Sequence, residues 1–218
     1  MLQVVAPSRD PGGNDLHFGG WIAVPERRLI RRKRLSATRI MHAMTPQAWR
    51  SALVAGCLAL GACSPALDWR ELRPHGTHLL AMFPCKPSVL VRSVGLVGRS
   101  VPLSLHACAA AGSTWGLAHA DVADPALLDG ALRELRMSAV SNIGATTSEP
   151  QAMQVPGATP HAASARLRLE GHRPDGKSVQ MQVAVFAHGT RVFQATVLAE
   201  RVSDDASDSF FSGLRFSP

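Results

Sequence analysis

Hydrophobic and polar residues alternate with a period of two along much of the C-terminal half of the chain. Residues 165–169 place alanine and leucine between arginines, and residues 179–185 place valine and methionine between polar side chains. A Pro174-Asp175-Gly176 turn separates these segments, and residues 191–198 follow Gly189 as a third segment. This period is typical of β-strands, and tight turns between such segments predict an antiparallel meander with one face in water.

Shorter apolar segments precede the meander, and they also predict β-strands. Residues 79–83 form an apolar run that ends at Pro84. Residues 89–94 and 101–107, joined around Gly95 and Gly98, predict a hairpin. Residues 114–122 predict one more strand.

Helical spacing appears at one place between these groups of strands. Asp124 and Pro125 suit the cap and first position of a helix, because proline lacks the N–H that would be unbonded there. The apolar residues that follow recur every three or four positions: Leu128, Leu132, Leu135 and Ala139. They predict a helix over residues 125–140 that packs on the sheet, ended at Gly144 and followed by a loop or irregular edge over 145–162.

A second, shorter helix closes the chain. Ser203 or Asp204 serves as its cap, and Phe210, Phe211 and Leu214 supply its apolar contacts. Strands, one amphipathic helix, a meander and a terminal helix predict an α+β fold, in which an antiparallel sheet is packed with helices.

Two motifs carry a resemblance to a known fold. They are the turn Phe83-Pro84-Cys85-Lys86-Pro87 and the phenylalanine-rich ending over residues 210–216. With the order of elements, they resemble small bacterial envelope proteins of the PsbP/Mog1-like α/β/α sandwich fold, over most of residues 68–218. Members of that fold bind different partners, so the resemblance implies an architecture and no activity.

The N-terminal residues have the organisation of a targeting segment. Residues 1–43 are polar and basic without an apolar period, and residues 51–62 form an uncharged, mostly apolar stretch before Cys63. Twelve residues are too few to span a bilayer, which takes about 20, but they suit the apolar region of a signal peptide.

The end of that stretch, Leu60-Gly61-Ala62-Cys63, resembles the lipobox of bacterial lipoproteins. The resemblance implies cleavage before Cys63, a diacylglyceryl group on its thiol and, since Ser64 follows, attachment to the outer membrane facing the periplasm. Residues 1–43 are then a disordered basic extension or a misplaced start, residues 44–62 a signal peptide, and residues 63–218 a single periplasmic domain. Twin-arginine export is an alternative route.

Charge is distributed unevenly along the 218 residues, whose net charge is +7. Residues 1–62 hold nine of the 23 basic and three of the 16 acidic residues, whereas residues 63–218 hold fourteen and thirteen. The predicted domain is therefore nearly neutral, which argues against nucleic acid as its partner. A cytosolic protein with a basic nucleic-acid-binding arm is an alternative that would need residues 1–43 to be retained.

The four cysteines fall into two groups. Cys57 is removed with the signal peptide and Cys63 is the lipid site, so Cys85 and Cys108 remain as an even pair in an oxidising compartment. They predict a disulfide worth about 3 kcal/mol in the chain-entropy model. Two free thiols are the alternative, because strand alternation places Cys108 on the opposite face from Leu103.

A metal site is the remaining interpretation of the same cysteines. His106 and Cys108 share a face of one strand, and Cys85 could complete a thiolate and imidazole set suited to copper or zinc. This set is the alternative function, metal or thiol-redox handling.

No motif for catalysis is present in the sequence. Phosphate loops, dinucleotide fingerprints and zinc-protease, serine-hydrolase or Cys-x-x-Cys motifs are all missing. Asp121, Asp124 and Asp129 cluster around the helix start, where they could form a paired-carboxylate site, but capping explains Asp124 and helix N-termini favour negative charge. Four arginines predict a basic patch on the water-exposed face of the meander, where anionic lipid or cell-wall polymer could bind: Arg166, Arg168, Arg173 and Arg191.

The function predicted from sequence is therefore a non-catalytic, lipid-anchored envelope protein. It requires no cofactor, contacts the membrane through its N-terminal lipid, and binds an unidentified protein or envelope partner.

Overall fold

Antiparallel β-strands dominate the structure. The computed structural model describes residues 66–173 and 175–217. The strands are β1 (Arg70–Leu72), β2 (Leu79–Phe83), β3 (Ser88–Leu96), β4 (Arg99–Ala110), β5 (Ser113–Asp121), β6 (Thr147–Gln151), β7 (Ala165–His172), β8 (Ser178–His188), β9 (Arg191–Ala199) and β10 (Arg215–Phe216). The helices are a 3-10 turn (Pro125–Leu127), α1 (Leu128–Asn142) and α2 (Asp204–Ser212).

Seven of these strands form one large sheet in the order β3-β4-β5-β9-β8-β7-β6, and all its neighbours are antiparallel. The predicted meander is confirmed as β7-β8-β9. Pairing of β5 with β9 joins the meander to the β3-β4-β5 group, which lies about 70 residues earlier in the chain. Strands β3 and β6 form the two edges.

The hairpin between β3 and β4 turns at Val97 and Gly98, whose φ angles are 47° and 72°. Two successive positive φ angles are typical of a type I′ turn, which suits the strand twist. The predicted hairpin is confirmed, although Gly95 stays within β3. A β-branched residue with positive φ is uncommon, and Val97 is supported because its N–H donates to Glu134 Oε2 of α1 at 2.7 Å.

Helix α1 covers one face of the large sheet, here called the α1 face. The buried residues of α1 are Leu128, Ala131, Leu132, Leu135 and Ala139, which include all four that the periodicity predicts. Asp124 Oδ1 accepts from the N–H of Ala126 at 2.9 Å, which confirms the cap, but the first turn is 3-10 rather than α-helical. The α1 face buries strand residues such as Leu103, Val183 and Val192.

Helix α2 and a small sheet cover the opposite face, here called the α2 face. The small sheet has the order β1-β2-β10. Its side chains and those of α2 meet the large sheet around Phe83, Trp115, Phe193 and Phe210, all of which are buried. The Ser203 hydroxyl accepts from the N–H of Ala206, which confirms the predicted cap of α2. The fold is thus α+β, with sheets as its larger part.

Three strands of the structure were not predicted as strands from the sequence. Residues 70–72 and 215–216 form β1 and β10, and residues 147–151 within the predicted loop form the edge strand β6. These strands are two to five residues long, so they hold too few side chains for a period to show. From Leu67 onward the described residues belong to one compact unit.

Candidate functional site

Cys85 and Cys108 form a disulfide, which confirms the predicted pair. Cys85 lies just beyond β2 and Cys108 lies in β4, with their Cα atoms 6.0 Å apart. Cys108 is on the opposite face from Leu103, as alternation requires, and that face has a core of its own. The bond therefore joins the small sheet to the large one. Both cysteines are buried or half-buried, which is typical of a structural disulfide rather than a reactive one.

His106 lies on the α2 face two residues before Cys108, and its closest ring neighbour is His119 of β5. The two imidazole centroids are 6.0 Å apart with nearly parallel planes, and His119 lies 5.8 Å from the ring of Phe193. Burial lowers the pKa of His106, and burial together with His106 and Arg191 lowers the pKa of His119 to about 4. Both rings are therefore neutral at pH 7.

The predicted metal ligands do not form a set in this state. Both sulfur atoms are bonded to each other, so Cys85 and Cys108 have no thiolate to offer beside His106. Within residues 66–173 and 175–217, no group of three or more His, Cys, Asp or Glu is placed to hold a metal ion. The set remains a prediction for the reduced protein. The neighbour that sequence reasoning missed is His119, because strand pairing alone brings it beside His106.

Two of the four arginines of the predicted basic patch are covered by protein, which corrects the interpretation of their side of β7 as a wet face. Arg166 and Arg168 point to the α2 face, where α2 covers them. The Arg166 side chain is only 11% exposed, and its Nη2 donates to Gln182 Oε1 at 2.6 Å and Asp208 Oδ1 at 2.7 Å. Arg168 forms an ion pair with Asp204 at the start of α2. These arginines attach α2 to the sheet, whereas Glu170 and His172 towards the end of β7 are exposed.

Three more of the predicted charged residues have structural partners. Arg191 forms an ion pair with Asp121, and the Thr190 hydroxyl donates to Asp121 at 2.7 Å, which lowers the pKa of that carboxyl group. Asp129 forms an ion pair with Arg133, one turn along α1. These carboxylates thus have capping or ion-pairing roles.

A cavity of 460 Å³ lies beside the C-terminal end of α2. Its lining combines apolar side chains, among them Met153, Val155 and Phe211, with the guanidinium of Arg166, whose Cζ lies 4.2 Å from the Phe211 ring centroid. Ligand sites are typically concave, largely apolar and provided with a few polar groups. The cavity has that composition.

The outer edge of β3 is the most apolar exposed segment of the described structure. Val89, Leu90 and Val91 are 61%, 54% and 61% exposed. Sequence analysis predicted the strand from these residues but could not identify it as an edge, because edge position depends on how distant strands pair.

Cys63 and residues 1–62 lie outside the described residues, so lipid attachment, the signal peptide and the basic extension stay predictions. Within the described residues, none of the helices is long and apolar enough to cross a membrane. No model of a known protein family matches the chain, and no curated protein matches its sequence.

Proposed function

We propose that the protein is an exported envelope lipoprotein, anchored by a lipid on Cys63 to the outer membrane and facing the periplasm. Its domain is a non-catalytic module that binds a partner or supports an envelope assembly. The observation that carries the proposal is the disulfide between Cys85 and Cys108, because disulfides persist in oxidising compartments and are rare in the cytosol. It accords with the lipobox-like Leu60-Gly61-Ala62-Cys63.

The arrangement of layers supports the finer proposal of a PsbP/Mog1-like α/β/α sandwich. Helix α1 lies on one face of the large sheet, and α2 with the small sheet lies on the other. In the resembling family such a domain carries binding functions that differ between members. The apolar cavity beside Arg166 supports a binding role here.

The test is the intact mass of the protein in the membrane fraction of the native cell, with and without reductant. We expect a chain that begins at an acylated Cys63 and gains two hydrogens on reduction. A Cys63→Ser variant should leave the membrane fraction, whereas Cys57→Ser, its matched control in the same apolar stretch, should not. A soluble chain that retains residues 1–62, or a Cys63→Ser variant that stays bound, would refute the anchor.

Metal or thiol-redox handling by Cys85, Cys108 and His106 is the second candidate function. It is supported by the position of His106 two residues from Cys108 and by imidazoles that are neutral at pH 7. Metal analysis of protein purified under reducing, anaerobic conditions tests it, and the absence of stoichiometric copper or zinc would refute it.

A further inference from the structure

The first part of the β3 edge, residues 88–91, lacks the proline and the charged side chains that keep sheet edges from pairing. Of the four exposed large hydrophobic residues in the described structure, three are consecutive in this strand: Val89, Leu90 and Val91. The strand is nine residues long, contains no proline and pairs only with β4 among the described strands. A long, apolar edge of this kind is a template for another strand.

The opposite edge of the same sheet is protected. Strand β6 has five residues, four of them exposed, and includes Pro150 and Glu149. Proline removes a backbone donor, and a charged side chain opposes stacking of a second strand, so β6 is unsuited to pairing. The contrast indicates that exposure of apolar residues is specific to β3.

We propose that β3 pairs with β3 of a second copy of this chain, antiparallel and about a two-fold axis at Leu90. The large sheets of the two copies then form one continuous sheet. The proposal goes beyond the lipid anchor and does not depend on it.

The sequence of the edge is self-complementary in this register. Val89, Leu90 and Val91 read the same in both directions, so Val89 of one copy lies opposite Val91 of the other and Leu90 lies opposite Leu90. Val89 and Val91 are on the α2 face, because Val89 is paired with His106, and Leu90 is on the α1 face, opposite Leu105. All three apolar side chains thus gain an apolar neighbour on their own face, and such cross-strand pairs stabilise a sheet.

Charge does not oppose this arrangement. Arg92 of one copy lies opposite Ser88 of the other, so like charges are not placed face to face. Residues 63–218, which include β3, hold fourteen basic and thirteen acidic residues, so this part of the chain adds little long-range repulsion between copies. A two-fold interface made by one strand is isologous and closes at two copies.

Sedimentation of the full chain tests the proposal, with Cys57→Ser and Cys63→Ser introduced to prevent intermolecular disulfides and lipid attachment. A single-strand interface is small, so we expect a concentration-dependent dimer over about 1–500 µM. Val91→Lys should weaken the dimer at least about tenfold. Met137→Lys is the matched control, since Met137 is 60% exposed but lies on α1, and it should leave the dimer unchanged.

Cross-linking tests the register. Two-fold pairing at Leu90 places the two Leu90 Cβ atoms about 5 Å apart, so a Leu90→Cys variant should form an intermolecular disulfide on oxidation. Ser93→Cys places its sulfurs about 20 Å apart and should not.

Three results would overturn the inference. They are a monomer at every concentration, a dimer that persists with Val91→Lys, and cross-linking by Ser93→Cys in place of Leu90→Cys. Amides of β3 that become protected only when another envelope protein is added would likewise assign the edge to a different partner. Circular dichroism of each variant shows whether it is folded.

Discussion

His119 couples the stability of the domain to pH. Its pKa is about 4 in the folded protein, because the ring is partly buried beside His106 and Arg191, whereas the ordinary pKa of a histidine is 6.5. Between these values the unfolded chain binds more protons than the folded one, so stability falls as pH falls from about 6.5 to about 4.

We expect a His119→Gln variant to lose less stability than the unaltered protein between pH 7 and pH 5. The difference should be about 1 kcal/mol after allowance for partial exposure of the ring. Urea denaturation at the two pH values measures it. His75→Gln, at an exposed histidine, is the control and should follow the unaltered protein. Equal losses in the His119→Gln variant and the unaltered protein would contradict the assignment.

Gln182 is a buried polar residue of β8 whose side chain bonds to both Arg166 and α2. It is 1% exposed, its Oε1 accepts from Arg166 at 2.6 Å, and its Nε2 donates to Asp204 Oδ1 at 3.3 Å. It therefore supplies the buried acceptor for a guanidinium that is itself nearly covered.

A Gln182→Leu variant should lose about 2 kcal/mol of unfolding free energy, because it leaves a buried donor without its acceptor. Asp208→Asn keeps an acceptor for Arg166 but removes the charge of this second partner, and it should cost less than about 1 kcal/mol, since the Asp208 side chain is 68% exposed. Denaturant unfolding of both variants makes the comparison. A larger loss for Asp208→Asn would mean that the exposed ion pair holds α2.

At the scale of the elements, the backbone of β7 passes very close to the end of α1. The N–H of His172 donates to the carbonyl of Ile143 at 2.7 Å, and a Cβ placed on Gly171 would lie 2.1 Å from that same oxygen. Only glycine permits this approach, which fixes the end of α1 against the sheet.

Gly171→Ala should therefore destabilise the protein by about 2 kcal/mol or more, because the helix end has to move. Gly116→Ala is the matched control in another buried strand, where the nearest atom to a new Cβ is 3.8 Å away, and it should cost less than about 1 kcal/mol. Thermal unfolding of the two variants tests the contrast. Similar melting temperatures would show that the end of α1 yields easily.

At the scale of the whole molecule, two cores lie on opposite faces of one sheet. The disulfide belongs to the core on the α2 face and joins residues 23 positions apart, so it encloses the β3-β4 hairpin and ties β2 to β4. It holds the small sheet against the large one.

Replacing both cysteines by serine should lower the unfolding free energy by about 3 kcal/mol, because the unfolded chain gains the freedom of the open loop. Urea denaturation with and without reductant measures this loss. Reductant should destabilise the unaltered protein by a similar amount and leave the double variant unchanged. An unaltered protein that is indifferent to reductant would contradict the structural role.

The sequence by itself determined the longer strands, both helices with their caps, the meander and the cysteine pair. These features depend on residue period and on neighbours within a few positions, which the sequence displays directly. The lipobox-like segment and the absence of catalytic motifs are also local, and they underlie the proposed function.

Only the tertiary structure decided which faces are covered and which edge is free. Arg166 and Arg168 have the pattern of a wet face, yet α2, some 40 residues later, covers them and supplies their partners. His119 meets His106 because β4 pairs with β5 in one particular register. Strand β3 becomes an edge because the meander joins the sheet through β5 and β9 and not through β3. Such long-range pairings are set by the fit of the whole core, so no local pattern contains them.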